Sequence, residues 1–113
     1  LVKPLSINEV HFQQTGEGIT TQVTSTFKGN KIVTEAKGNG RLNAVSNALK
    51  KAYGMKYDLI TYQEHALEQS SSSRAIAYVG IRKPDGGLSW GAGVDQDIIR
   101  ASIDALVTAI NNR

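Results

Sequence analysis

The stretch GNGRLNAVSNALKKAYG, residues 38–54, decides how the chain folds. Within it Leu42, Val45, Leu49, Ala52 and Tyr53 recur at the spacing of one helix face, and Gly54 supplies a natural C-terminal stop. Working upstream, Val10 to Phe12, Ile19 to Phe27 and Lys31 to Lys37 alternate β-branched or apolar residues with polar ones, which predicts three strands. Thr15-Gly16-Glu17-Gly18 and Lys28-Gly29-Asn30-Lys31 are the turns between them. Downstream the order repeats. Tyr57 to Leu67, Ala75 to Arg82 and Leu88 to Gly91 read as strands, with Pro84-Asp85-Gly86-Gly87 as a hairpin turn, and Ile99, Ile103, Leu106 and Ile110 mark a closing helix. Ala44, Ala48, Leu49 and Ala52 recur as Ala101, Ala105, Leu106 and Ala109, all at an offset of 57 residues. Gly38-Asn39-Gly40 is read as opening the first helix and Gly91-Ala92-Gly93 as opening the second. The expected fold is α+β: two pseudo-symmetric βββα units, residues 5–54 and 55–113 of one domain, with antiparallel sheets covered by helices. Alanines at 44, 48, 101 and 105 would let the helices approach closely.

Bulk composition narrows the function. With 113 residues there is room for one ordinary domain, and 40% hydrophobic against 20% charged residues is the balance of a soluble globular protein. No window approaches the ~20 apolar residues of a membrane span, so no membrane partner is expected. Cysteine is absent, which excludes a disulfide framework, a thiolate metal site and a cysteine nucleophile and fits a cytoplasmic location. Leu1 stands where a Met would begin a chain, and no signal-peptide pattern follows it, so a piece of a longer polypeptide is expected. The net charge of +3 and pI near 9.3 come from dispersed basic residues, only Lys50-Lys51 and Arg82-Lys83 being adjacent. No nucleic-acid partner is therefore expected. A basic α+β nucleic-acid module using Lys50, Lys51, Lys56 and Tyr57 is a remote alternative.

Reactive groups are few. His11 and His65 are the only histidines, neither has a ligand-like companion at helical spacing, and no Gly-x-Ser-x-Gly elbow exists, so neither catalytic residues nor a metal site are expected. His65 reads as structural or solvent-facing. The informative feature is a strand delivering Gly-x-Gly into a helix, because missing side chains let a ligand reach backbone N–H groups at the positive helix end. The dinucleotide fingerprint wants a third glycine, and Asn43 and Gln96 hold the corresponding places. Tight strand-to-helix turns would explain the same glycines. Likewise Leu42, Leu59, Tyr62, Ala75 and Ile98 suit either the lining of a small-carboxylate pocket or a core.

Several motifs in order carry a family resemblance. Lys37-Gly38-Asn39-Gly40 with Asn43-Ala44, then Tyr62 to Ala66, then Trp90 to Gly93 with Asp97-Ile98, Ala101-Ser102, Ala105 and Asn111 to Arg113, resemble the C-terminal domain of the 2-isopropylmalate synthases across Leu5 to Arg113. That resemblance implies a domain of two βββα units that dimerises and binds leucine as feedback effector, with no cofactor of its own. It implies a catalytic barrel elsewhere in the parent chain, where a divalent metal and acetyl-CoA as substrate would serve an acyl transfer. It places the leucine backbone near Gly38, Gly40, Asn43, Ala66 and Ser73, and the isobutyl group against Leu42, Leu59, Tyr62, Ala75 and Ile98. Citramalate synthases share the architecture and respond to isoleucine, which is the alternative effector. Two stretches depart from the family pattern: Arg41 stands where proline is usual, and Ser70 to Ser73 where glycine and acidic residues are usual.

Overall fold

The structure, a computed structural model, describes residues 5–66 and 74–112. The chain divides into two compact units between Met55 and Lys56. The first holds β1 (Leu5–Thr15), β2 (Gly18–Phe27), β3 (Asn30–Gly38) and α1 (Arg41–Tyr53). The second holds β4 (Asp58–Ala66), β5 (Ala75–Arg82), β6 (Leu88–Asp95) and α2 (Ile98–Asn111). Each sheet is a three-stranded antiparallel meander, β1-β2-β3 and β4-β5-β6, and each is followed by its helix. The fold is thus α+β, built of two βββα units as the sequence predicts.

In the first unit Lys28 (φ 52) and Gly29 (φ 85) both take positive φ, the type I′ geometry whose twist matches the flanking strands. Thr21, Val23 and Ser25 of β2 turn inward to meet α1, which presents Ala44, Val45, Ala48 and Leu49, all fully buried. The buried hydroxyls are satisfied locally: Thr21 Oγ1 donates to the His11 carbonyl at 2.9 Å, and Ser25 Oγ lies 2.7 Å from the Tyr53 hydroxyl. Gly54 ends α1 in the left-handed conformation (φ 63, ψ 25), the stop read from the sequence. Strand β1 is longer than Val10 to Phe12. A register shift between Ile7 and Glu9 breaks the alternation that would have shown Leu5 and Ile7 as part of it.

The second unit corrects one reading. Gly91-Ala92-Gly93 does not open α2; β6 runs through it to Asp95, and the helix starts three residues later at Ile98. Its N-cap is Asp97, whose carboxylate accepts the Ile99 N–H at 2.9 Å. The glycines serve packing instead. A Cβ on Gly91 would stand 2.3 Å from the Ala105 carbonyl oxygen, and one on Gly93 would stand 2.2 Å from that of Ala101. The α2 backbone therefore lies directly on β6, with Ala101, Ala105 and Ala109 fully buried at the contact. The two N-caps, Gly40 and Asp97, keep the 57-residue offset of the helices.

Candidate functional site

The first unit contains an open groove of about 560 Å³ between the β1–β2 turn, the end of β3 and the start of α1, with Gly18, Gly38, Asn39, Asn43 and Asn47 on its walls. Gly38 is the last residue of β3, and a Cβ there would stand 2.4 Å from the Ala44 backbone nitrogen. So the first turn of α1 rests on the strand it came from. Asn43 holds the turn together: its Oδ1 accepts the Asn39 N–H at 3.0 Å, while Asn47 Nδ2 donates to the Lys37 carbonyl at 2.8 Å. Gly40 caps the helix with an extended backbone and no side-chain hydrogen bond. A helix start leaves its first backbone N–H groups without intrahelical partners, and the glycine at the N-cap supplies no side-chain acceptor for them. A Cβ built on Gly40 meets nothing within 4 Å. Arg41 begins the helix and sets its guanidinium over the Phe12 ring, 5.8 Å from the centroid.

The corresponding place in the second unit is chemically opposite. At the 57-residue offset Asp95 and Asp97 stand where the first unit has Gly38 and Gly40. Asp95 Oδ1 accepts the Asp97 N–H and Asp97 Oδ1 the Ile99 N–H, both at 2.9 Å. The chain thus places aspartates at one helix start and glycines at the other.

Of the predicted site residues, Gly38, Gly40, Leu42 and Asn43 come together at the start of α1, with Leu42 buried. In the second unit Ala66 and Ala75 are paired, and Ala75 also pairs with Asp95, where β6 hands over to α2, so Ala75 and Ile98 share that end. Tyr62 is on β4, 40% exposed, with its hydroxyl 2.6 Å from Ser102 Oγ on α2 and donating to the Glu64 carboxylate. Leu59 pairs with Ile81, six residues along β5 from Ala75. At the strand rise this is about 20 Å from the Ala75 end. Tyr62 pairs with Val79 and so lies between Leu59 and the Ala75 end. Ser73 lies outside the described residues. What the sequence reading missed is Asp97, although an aspartate directly before the periodic run from Ile98 is a helix-start signal. His65 is exposed and meets the Tyr78 ring edge-on, with centroids 6.3 Å apart.

Burial, and then the hydrogen bond to Glu64, raises the Tyr62 hydroxyl above the ordinary tyrosine value of 10.0. The unfolded chain therefore loses this proton at lower pH than the folded one, so the contribution to stability is intact below pH 10 and declines as pH rises through the folded value. Denaturation followed across the alkaline range should show wild-type stability falling more steeply than that of Tyr62→Phe. Parallel curves for the two proteins would refute the assignment.

The architecture and this groove define a structural class, a duplicated βββα module with one helix start left open. Over residues 3–113 the chain matches the model of the LeuA allosteric (dimerisation) domain, and it belongs to that family. Its similar relatives are enzymes. A 2-isopropylmalate synthase of Desulfitobacterium hafniense (strain Y51) is 44% identical over 108 residues, 96% of this chain and 19% of that protein. Those of Helicobacter hepaticus and Brucella melitensis biotype 1 are 45% and 38% identical over 66% and 89% of this chain, which cover 13% and 18% of those proteins. The chain therefore spans no more than about a fifth of the length of these curated relatives. Among the described residues no group of three His, Cys, Asp or Glu could hold a metal ion, and no helix is long and apolar enough to cross a membrane.

Proposed function

We propose that this chain is the regulatory domain of a 2-isopropylmalate synthase, binding leucine as feedback effector and joining two parent chains in a homodimer. The observation that carries the reading is the bare start of α1. Where the second unit places its own Asp97 carboxylate, the first has Gly40 and an open groove. A free amino acid brings the missing carboxylate, and helix-end N–H groups receive it. Family membership supplies the allosteric and dimerising context. The residues proposed for the effector in the first unit are Gly38, Gly40, Leu42 and Asn43, which meet at the start of α1. Leu59, Tyr62, Ala66, Ser73, Ala75 and Ile98 remain proposals of the resemblance alone. No catalytic residue and no cofactor is assigned to this chain. The divalent metal and the acetyl-CoA condensation belong, on this reading, to a barrel elsewhere in the parent chain, a cytoplasmic acyltransferase.

Calorimetric titration with leucine, isoleucine and valine tests this. Leucine should bind most tightly, with valine weaker by about 1–3 kcal/mol for one methylene. A preference for isoleucine would reassign the parent to the citramalate synthases. No heat from any of the three with the folded chain would refute effector binding and leave the family's dimerising role.

A further inference from the structure

The two units differ most on the sheet faces turned away from their helices. In β6, Ser89, Gly91 and Gly93 face α2, so Leu88, Trp90, Ala92 and Val94 point outward. Ladder pairing puts Ile76 and Tyr78 of β5 on the same side, opposite Val94 and Ala92. Leu88 is 53% exposed, Trp90 51%, Val94 45% and Tyr78 41%. Trp90 is the only tryptophan in the chain. Its ring covers the backbone of Gly80, where a Cβ would stand 2.4 Å from Cζ3, so the indole lies flat on the sheet. The first unit repeats this strand geometry with different chemistry. At the 57-residue offset Leu88, Trp90, Ala92 and Val94 replace Lys31, Val33, Glu35 and Lys37, and the neighbouring outward residues of β2 are threonines and a glutamine. Propensity for strand does not require the change, since the polar version forms the same sheet.

We infer that the outer face of β4-β5-β6, centred on Trp90 and Tyr78, is the surface through which a second copy of this chain docks. The inference rests on the dimerising role proposed above and names the face that performs it. Three features fit a copy of the same chain. Contiguous exposed apolar surface of a few hundred Å² marks an interaction site on a soluble domain. A two-fold contact sets each patch against itself, so a net charge at its centre would repel, and Ile76, Tyr78, Trp90, Ala92 and Val94 carry none. Twisted antiparallel sheets also pack face to face by interdigitating such side chains, and a flat indole presents a large anchor of the kind that dominates interface energies.

Trp90 makes the test direct. On dilution of the wild-type chain from millimolar to nanomolar, sedimentation mass should fall from two chains to one, and Trp90 emission should shift to the red and become more readily quenched in step with it. Trp90→Lys and Val94→Lys should each weaken the dimer by roughly thirtyfold or more, the scale of losing an interface anchor. Val33→Lys, on the polar face of the first unit, should leave it unchanged. Circular dichroism checks that each variant is folded, and the wild-type emission needs no variant. A dimer whose Trp90 emission ignores dissociation, and which survives both substitutions, would overturn this face while leaving the dimerising role standing. A wild-type chain that stays single at millimolar concentration would overturn both.

Discussion

Gly93→Ala is expected to destabilise the second unit by about 3 kcal/mol, and Gly91→Ala by a similar amount, which is the upper part of the range for overpacking. The reason is what the new methyl would strike. At Gly93 it would lie 2.2 Å from the Ala101 carbonyl oxygen and 2.8 Å from the Ala105 nitrogen; at Gly91, 2.3 Å from the Ala105 oxygen and 2.4 Å from the Ala109 nitrogen. These are main-chain atoms in the middle of a helix, so no rotamer change relieves the contact. Either α2 lifts from β6 and uncovers Ala101, Ala105 and Ala109, or the strand bends. Gly16→Ala is the comparison, because a Cβ there meets nothing within 4 Å. Urea unfolding read by Trp90, which lies on β6 itself, should show a much lower midpoint for the two packing variants and almost none of that loss for Gly16→Ala. Equal midpoints would mean that α2 does not lie on the strand as described.

Those glycines also show where the sequence was legible and where it was not. Periodicity located both helices, β2 and β5 closely, because each has an uninterrupted apolar rhythm and a turn residue at its end. Glycine was the ambiguous letter. In a one-dimensional reading Gly91 and Gly93 look like the opening of a helix, whereas in space they lie within a strand where a helix backbone comes to rest. Only the partner element distinguishes these cases, and its contacting residues are eight or more positions away in sequence. The same limit applied to the site. Gly38 and Gly40 were recognised as a helix start, but the contrast with Asp95 and Asp97 appeared only once the N-caps were aligned by structure. The resemblance groups Leu59 with Tyr62 and Ala75, and the strand register spreads the three along the sheet, with Leu59 at the far end from Ala75 and Tyr62 between them. Which face of β6 is covered was likewise not readable, since Leu88, Trp90 and Val94 alternate with small residues as a buried strand would.

The open start of α1 yields the second large effect, through Gly40→Asp. Gly40 already has extended backbone angles (φ −149, ψ 175) that aspartate adopts without strain, and its Cβ would enter open space. Aspartate at that position would cap α1 as Asp97 caps α2, so the first unit should gain a few tenths of a kcal/mol. The same carboxylate would occupy the N–H groups proposed for the leucine carboxylate and repel it, so leucine affinity should fall on the order of a hundredfold or more. Stability and binding therefore move in opposite directions, which no general loosening of the fold would produce. Gly40→Ala separates charge from bulk: the methyl meets nothing in the protein, so a smaller loss of leucine binding in that variant measures the space the ligand itself needs. Gly38→Ala cannot make this distinction, because its methyl would collide with Ala44 and disturb the helix whether or not a ligand is present. Thermal unfolding and leucine titration of the Gly40 pair would decide the matter. Unaltered leucine affinity in Gly40→Asp would remove the helix start from the effector site.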